Sequence, residues 1–199
     1  MKKLRLALVG CGDITKDTAF ICRLNQKINT VACVDLQISK AEFFTKKYKI
    51  KRAYSDYTEM LESEELDAVY LAVPHHLHFP MIEQALEKGV HVLCEKPVTA
   101  TLKEAYQLCD LVTGSNKKVG INYQYRYDKA CYAIVKAAQN GELGELYYIR
   151  CNVPWHRKPE YFTESKWHAS LQQAGGGTLI TQASHIVDIA MWALGSKPI

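Results

Sequence analysis

Short apolar runs alternate with helix-like segments through the first 120 positions of this chain. The runs are rich in β-branched residues, as buried strands are, and the segments between them place apolar side chains at helical spacing. In the first segment, Ile14, Ile21, Leu24 and Ile28 are predicted to share one buried helical face. Regular alternation of strand and helix is typical of α/β proteins, so we predict a parallel, doubly wound sheet over residues 1–122.

The pattern changes at Tyr123, and residues 123–199 are predicted to form a second region. A helix is expected over 128–139, a long aromatic strand over 146–153, and a last helix that opens at the glycines of 175–177 and ends near Gly195. One strand cannot form a sheet by itself. The second region is therefore interpreted as an incomplete domain.

A glycine-rich turn, Gly10-Cys11-Gly12-Asp13-Ile14, directly follows the first apolar run. Gly10 permits a tight turn, and Gly12 lets backbone approach a pyrophosphate without a Cβ atom in the way. The helix that follows offers free N–H groups and a positive dipole end to phosphates. Thr15 stands where the dinucleotide-binding fingerprint has its third glycine. A turn that binds no nucleotide is the alternative interpretation.

The acidic residue that this fingerprint expects is Asp35, which ends the second apolar run. A carboxylate there accepts hydrogen bonds from both ribose hydroxyls and repels a 2′-phosphate. Neither Leu36 nor Gln37 supplies a cation for that phosphate. NAD is therefore predicted as the cofactor in preference to NADP, with the alternative that Asp35 only ends a strand.

The fourth strand ends at Val73-Pro74, and three histidines follow at positions 75, 76 and 78. No carboxylate or cysteine joins them at ligand spacing, so no metal site is predicted. We interpret Pro74 as shaping a loop against the nicotinamide, with one histidine lining the cleft.

The fifth strand ends at Glu95-Lys96-Pro97, on the same predicted edge of the sheet. Pro97 keeps Lys96 extended, so its ammonium can project into the crevice and hydrogen-bond a substrate hydroxyl. The alternative is a Lys–Glu pair in a surface turn.

The last helix carries Thr181, His185 and Asp188, four and three residues apart and therefore predicted to share one stripe. An imidazole with a pKa near neutrality suits the removal of a proton from an alcohol. A histidine with a purely structural role is the alternative.

Composition narrows the class of protein. The net charge of +4 is mild, and the basic cluster at 46–52 is interpreted as a solvated surface, so no nucleic-acid partner is predicted. Seven scattered cysteines without a C-x-x-C pair indicate a reducing compartment. No apolar stretch approaches 18 residues, so no membrane contact is predicted, and we expect a cytoplasmic protein.

Together these motifs resemble the glucose–fructose oxidoreductase / inositol dehydrogenase (Gfo/Idh/MocA) family. The matching parts, in family order, are the turn at residues 10–14, the Val73–His78 loop, Glu95-Lys96-Pro97, the bridge at 123–126 and the segment from 175 to Asp188. The resemblance implies a Rossmann domain followed by an α+β open-sheet domain that floors the active site and builds a homo-oligomer.

The resemblance also implies residue roles. Lys96 and His185 correspond to the family's catalytic lysine and histidine. Many members carry Asp four residues before that histidine, where this chain has Thr181. The predicted cofactor-binding residues are Gly10, Gly12, Asp13, Ile14, Asp35, Val73, Pro74, His78 and Glu95. The predicted substrate-binding residues are Lys96, Tyr125, Arg126, Trp155, Trp167, Thr181 and His185.

The sequence thus predicts an NAD-dependent oxidoreductase acting on a secondary alcohol of a sugar, cyclitol or sugar derivative. A family relative that binds NAD and regulates without turnover is the alternative. We also expect this polypeptide to be a fragment of a longer parent, because the second domain needs more strands to complete its sheet.

Overall fold

The computed structural model describes residues 2–195, and the chain divides after Ile121 into two compact units. The described part of the first unit contains a six-stranded parallel sheet with the order β3-β2-β1-β4-β5-β6. Its strands are β1 (Leu4–Val9), β2 (Ile28–Val34), β3 (Arg52–Tyr54), β4 (Ala68–Leu71), β5 (His91–Glu95) and β6 (Val119–Asn122). This topology confirms the predicted doubly wound α/β fold.

Helices connect the strands, and some of them begin at side chains that satisfy their free N–H groups. They are α1 (Asp13–Leu24), α2 (Ile38–Tyr48), α3 (Tyr57–Ser63), α4 (His78–Glu87) and α5 (Leu102–Thr113). Asp56 caps α3 by accepting a hydrogen bond from the Glu59 N–H, and Thr101 with Glu104 forms a reciprocal capping box on α5. No helix between residues 2 and 195 combines the length and apolar character needed to cross a membrane.

Strand side chains alternate between two buried clusters, one on each face of the sheet. Ala7 and Val9 of β1 belong to one cluster, and Leu6 and Leu8 belong to the other. Because successive side chains on a strand point to opposite faces, helices must cover both faces. The ends of the strands are therefore the part of the sheet that a ligand can reach.

The predicted buried face of α1 is wrong. Ile14, Ile21 and Leu24 are 58%, 61% and 66% exposed. The buried residues of α1 are Thr15, Ala19 and Cys22, at helical spacing, and Ile28 already belongs to β2. Small side chains on this face let the helix approach the sheet closely, so the larger apolar residues lie outside.

The second unit begins with a 3₁₀ turn, Gln124–Tyr127, and its helices follow. They are α6 (Lys129–Gln139), α7 (Glu160–Thr163), α8 (Leu171–Ala174) and α9 (Ser184–Leu194), with a 3₁₀ turn at Lys166–Ala169 before α8 and a π-helical turn at Leu179–Ala183 before α9. Gln139 Nε2 on α6 donates to the carbonyl of Trp192 on α9 at 2.8 Å. Gly195, with φ +65°, ends α9 as predicted.

The predicted strand over residues 146–153 is also wrong. This segment pairs with no other strand in the described chain, and Tyr147 and Tyr148 are 83% and 82% exposed. A strand needs a neighbour to satisfy its backbone groups, and an apolar, aromatic composition does not supply that neighbour. The described part of the second unit is therefore helical and irregular.

The Arg5–Asp67 contact should make stability depend on pH. The Asp67 carboxylate accepts hydrogen bonds from the Arg5 backbone N–H at 2.7 Å and from its Nη2 at 3.1 Å, which lowers the pKa of Asp67. A carboxyl whose pKa is lowered by folding stabilises the fold above its unfolded pKa, and this stabilisation is lost as the pH falls through the folded value. Asp67→Asn should lower the Tm by about 2–4 °C at pH 7 and by less at pH 3, as measured by thermal unfolding.

Glu65→Gln is the matched control, because the Glu65 side chain is 90% exposed and also pairs with Arg5. Exposed ion pairs contribute little, so this variant should unfold like the wild type. Equal Tm losses for Asp67→Asn at both pH values would contradict the assignment.

Candidate functional site

The turn between β1 and α1 has the conformation that its first glycine predicts. Gly10 has φ +87° and donates its N–H to the Val34 carbonyl at 2.8 Å. A Cβ atom at this position would lie 2.2 Å from the carbonyl oxygen of Ala72, which follows β4. Only glycine fits here, because both the backbone angle and the close approach exclude a side chain.

Gly12 has a different reason to be glycine. Its φ is −85°, which any residue adopts, and a Cβ atom there would meet nothing within 4 Å. It is the N-cap of α1, and no side chain caps that helix. The start of α1 therefore offers N–H groups beside open space, as an anion-binding helix terminus requires.

Thr15 replaces the third glycine without opening the turn. Its side chain is 0% exposed, and its hydroxyl donates to the Gly10 carbonyl at 2.5 Å. The threonine therefore adds a hydrogen bond that holds the first turn of α1 under the end of β1.

Asp35 lies beside the glycine-rich turn, where the sequence places it. One carboxylate oxygen accepts from the Cys11 backbone N–H at 2.9 Å, and the other accepts from the Gln37 N–H at 2.9 Å. Each oxygen retains a second lone pair, so the carboxylate can still accept hydrogen bonds from ribose hydroxyls. These two contacts orient the acid before any ligand binds.

His78 is placed beneath the sheet edge. Its side chain is fully buried, with Nδ1 2.7 Å from the Pro97 carbonyl and Nε2 3.1 Å from the Val73 carbonyl. Burial lowers the pKa of this imidazole, against the opposing effect of the two carbonyls. His78 therefore connects the loops that follow β4 and β5. Because its side chain is buried, it would affect a bound ligand by positioning the backbones of these two loops.

Glu95 and Lys96 stand where β5 ends, and both are half-buried. The Lys96–Pro97 peptide bond is cis. Across residues 2–195, no three His, Cys, Asp or Glu side chains are grouped so that they could hold a metal ion. The edge formed by β4 and β5 thus presents a carboxylate and a lysine, the pair predicted from the sequence.

In the second unit, His185 is buried against two tyrosines. The Tyr125 ring stacks on the imidazole with centroids 4.9 Å apart and planes at 28°, and the Tyr123 ring meets it edge-on at 5.8 Å. His185 is 6% exposed. Tyr125, predicted to bind substrate, therefore contacts the predicted catalytic histidine and restricts its orientation.

The predicted stripe of Thr181, His185 and Asp188 is interrupted. Thr181 lies in the π-helical turn at Leu179–Ala183, where hydrogen bonds span five residues, so a spacing of four no longer places it one turn from His185. Its hydroxyl donates to the Gly177 carbonyl at 3.0 Å. Such π-turns often accompany functional sites, and this one reorients the residues that precede α9.

Asp188 on α9 binds Arg126, which was predicted to bind substrate. Arg126 Nε and Nη2 donate to the two carboxylate oxygens, each at 2.7 Å. The guanidinium also lies 5.3 Å from the centre of the Trp192 ring. This two-point contact joins the Gln124–Tyr127 turn, which carries Tyr125, to the helix that carries His185.

The aromatic segment folds around an arginine that sequence reasoning missed. Arg157 lies 5.9 Å from the centre of the Trp155 ring and 5.3 Å from that of Tyr161, and it donates to the Gln182 side-chain oxygen. Gln182 Nε2 in turn donates to the Tyr161 hydroxyl at 2.9 Å. Arg157 and Gln182 are 25 residues apart, so no local pattern could have paired them.

Trp167, the other predicted substrate-binding tryptophan, stands on the neighbouring 3₁₀ turn. Its ring centre lies 3.9 Å from that of His168, and His168 stacks on Tyr161 at 4.0 Å. Trp155 and Trp167 therefore both belong to one aromatic cluster centred on Tyr161.

Comparison with known proteins shows the family to which this chain belongs. Residues 4–123 match a model described as an oxidoreductase family with an NAD-binding Rossmann fold, and residues 132–199 match the GFO/IDH/MocA C-terminal domain. The chain belongs to the GFO/IDH/MocA oxidoreductase family. This confirms the resemblance stated above and makes residues 4–123 an NAD-binding Rossmann domain.

Relatives in this family include named sugar and cyclitol dehydrogenases. D-Glucoside 3-dehydrogenase of Escherichia coli (strain K12) is 31% identical, over 96% of this chain and 54% of that protein. Inositol 2-dehydrogenase of Corynebacterium glutamicum (strain R) is 28% identical, over 98% of this chain and 56% of that protein.

Among solved structures, the WlbA dehydrogenase from Chromobacterium violaceum, in complex with NADH and UDP-GlcNAcA, has a TM-score of 0.92. It is 26% identical, over 98% of this chain and 56% of that one. The chain therefore spans about half the length of the relatives it matches.

The two glycines of the Rossmann turn should respond differently to the same substitution. Gly10→Ala should lower the free energy of unfolding by about 2–4 kcal/mol, because its Cβ atom meets the Ala72 carbonyl in a left-handed conformation. Gly12→Ala should lower the free energy of unfolding by about 1 kcal/mol, because alanine is a weaker N-cap. It should also weaken NADH binding at least about tenfold, because its Cβ atom would fill the space predicted for the pyrophosphate. Urea unfolding and NADH fluorescence titration measure the two effects.

Proposed function

We propose that the protein is an NAD-dependent oxidoreductase that transfers a hydride between nicotinamide and a secondary alcohol of a sugar, cyclitol or sugar derivative. The observation that carries this proposal is the open start of α1 at Gly12, with the oriented Asp35 carboxylate beside the same turn. The matched relatives named as glucoside and inositol dehydrogenases support the substrate class.

The residues of the first unit fit NAD. The pyrophosphate is proposed to lie against Gly12, Asp13 and Ile14, where α1 presents N–H groups that no side chain caps. Asp35 would hold the ribose hydroxyls, and the ends of β4 and β5, with Val73, Pro74 and Glu95, would face the nicotinamide. When bound, NAD supplies the hydride acceptor, and the protein binds, orients and moves the proton.

Lys96 and His185 are proposed to act on the substrate hydroxyl. An imidazole nitrogen of His185 accepts the proton, and the Lys96 ammonium hydrogen-bonds the oxygen as negative charge develops on it. Tyr125 keeps the imidazole in one orientation by stacking. Trp155, Trp167 and Thr181 would contact the rest of the substrate, and Arg126 would act through its ion pair with Asp188.

A regulatory relative that binds NAD without turnover is the second candidate. Thr181 favours it, because a hydroxyl bound to the Gly177 carbonyl cannot stabilise an imidazolium as a carboxylate would. Titration with NAD and a panel of polyols and sugars separates the two functions. A regulator would bind the cofactor without producing reduced-nicotinamide absorbance.

We further propose a cytoplasmic homo-oligomer that associates through the second unit. The cysteines of the described chain form no disulfides, which fits a reducing compartment. Large apolar side chains on the second unit, including Tyr147, Tyr148 and Leu179, are 83%, 82% and 70% exposed. Such surfaces favour association.

The charge of Asp35 should set cofactor preference. We expect NADH to bind at least about tenfold more tightly than NADPH, because the carboxylate would repel a 2′-phosphate by about 1–4 kcal/mol. Asp35→Asn keeps an acceptor for the Cys11 N–H and removes the charge, so it should reduce this preference. Fluorescence titration of the wild type and of Asp35→Asn gives the dissociation constants for both cofactors.

Asp17→Asn removes a different, exposed carboxylate from α1 and should keep the wild-type preference. Equal affinities for NADH and NADPH in the wild type would refute the role of Asp35.

Replacement of Lys96 or His185 should greatly reduce turnover and leave the affinity for the cofactor nearly unchanged. Lys96→Ala and His185→Ala should each lower kcat by about 10²–10⁴-fold on a responsive polyol, with NADH affinity nearly unchanged. Lys88→Ala, which removes an exposed lysine paired with Glu62, is the control and should keep full activity. Full activity of His185→Ala would mean that the proton leaves by another route.

A further inference from the structure

A buried phenol hydroxyl lies close to the edge of the sheet at which β4 and β5 end. Tyr70 in β4 is 1% exposed and pairs in the sheet with Leu8 of β1 and Leu93 of β5. Its hydroxyl donates to Oε1 of Glu95 at 2.6 Å. Glu95 is the last residue of β5 and the neighbour of Lys96.

The side chain of Thr18 on α1 lies near the same hydroxyl. The hydrogen bond that the structure gives to the Tyr70 hydroxyl is the one to Glu95. Burial and the nearby Glu95 charge raise the pKa of Tyr70, and the phenol therefore stays protonated as a donor. The Tyr70–Glu95 bond therefore connects the buried core of β4 to the residue beside Lys96.

A carboxylate on the last residue of a strand needs a fixed partner to hold one orientation. Glu95 is half-buried, and the 2.6 Å bond fixes one of its oxygens. A short bond from a hydroxyl to a carboxylate is among the stronger hydrogen bonds in proteins. Because the two oxygens of a carboxylate are rigidly connected, this bond also limits the direction in which the second oxygen of Glu95 points.

We propose that Tyr70 is a positioning residue of the cofactor site, whose hydroxyl holds the Glu95 carboxylate in the orientation that contacts the nicotinamide half of NAD. This rests on the proposed function, in which Glu95 contacts the cofactor. Tyr70 is shielded from the ligand and acts through Glu95. A purely structural tyrosine would fill the same core volume without affecting NADH affinity.

The test compares two buried tyrosines in the 199-residue chain. Tyr70→Phe removes the hydroxyl bound to Glu95, and Tyr57→Phe removes one of similar burial that donates to the Met81 carbonyl at 3.0 Å. Both variants lose one buried hydrogen bond, so urea unfolding should show comparable destabilisation. Only Tyr70→Phe should weaken NADH binding, by about 5- to 20-fold in fluorescence titration.

Glu95→Ala completes a double-mutant cycle. In that background Tyr70→Phe should change NADH affinity less than about twofold, because the hydroxyl no longer has a carboxylate to orient. Thr18→Val, which removes the polar neighbour of the Tyr70 hydroxyl on α1, should weaken NADH binding more modestly. It provides the test if Tyr70→Phe does not fold.

Four outcomes would overturn the assignment. They are wild-type affinity in Tyr70→Phe, an equal loss in Tyr57→Phe, an equal effect of Tyr70→Phe with and without Glu95, and, where Tyr70→Phe is unfolded, an unaltered affinity in Thr18→Val. A wild-type chain that binds no NADH would instead overturn the proposed function, and the role of Tyr70 with it.

Discussion

The contact between the Gly10 backbone and the Ala72 carbonyl joins the ends of β1 and β4, and the cofactor site depends on it. The strand order reverses at this point, since β2 and β3 lie on one side of β1 and β4, β5 and β6 lie on the other. Ligands of open α/β sheets bind at such a reversal. The close approach allows β1 to turn at once into α1, which places Gly12 and the free N–H groups of the helix at the edge.

Buried polar contacts hold the rest of this edge from below. His78 connects the backbones of Val73 and Pro97, and Thr15 holds the Gly10 carbonyl. Asp35 is oriented by the Cys11 N–H. Each contact orders a group before a ligand binds, which reduces the entropy that binding would otherwise lose. The site is thus preorganised before a ligand binds, and two of these side chains, His78 and Thr15, do so without having to touch the ligand.

The second unit orders its histidine by a different means. His185 is held by the stacked ring of Tyr125, and the Arg126–Asp188 ion pair joins the turn that carries Tyr125 to α9. The π-helical turn ends where α9 begins, so it sets the rotation with which His185 emerges. Aromatic contact and an irregular helical turn therefore set the orientation of His185 in this unit.

The sequence by itself determined the alternation of strands and helices, the glycine-rich turn and the positions of Asp35, Glu95 and Lys96 at strand ends. These features follow from local preferences, because side-chain period, backbone freedom and strand-terminal position are visible within short segments. It did not determine which face of α1 is buried. Ile14 and Ile21 have the right spacing, but Ala19 and Cys22 are small enough for close packing.

Tertiary structure alone decided the absence of a strand at 146–153, the π-turn before His185, and the Tyr70–Glu95 and Arg157–Gln182 contacts. The two side-chain contacts each join residues 25 positions apart, and a strand depends on whether a pairing partner exists among the described residues. Such contacts arise only when the sheet and helices have brought distant segments together. Local sequence carries no information about that distance, because it is set by the packing of the whole unit.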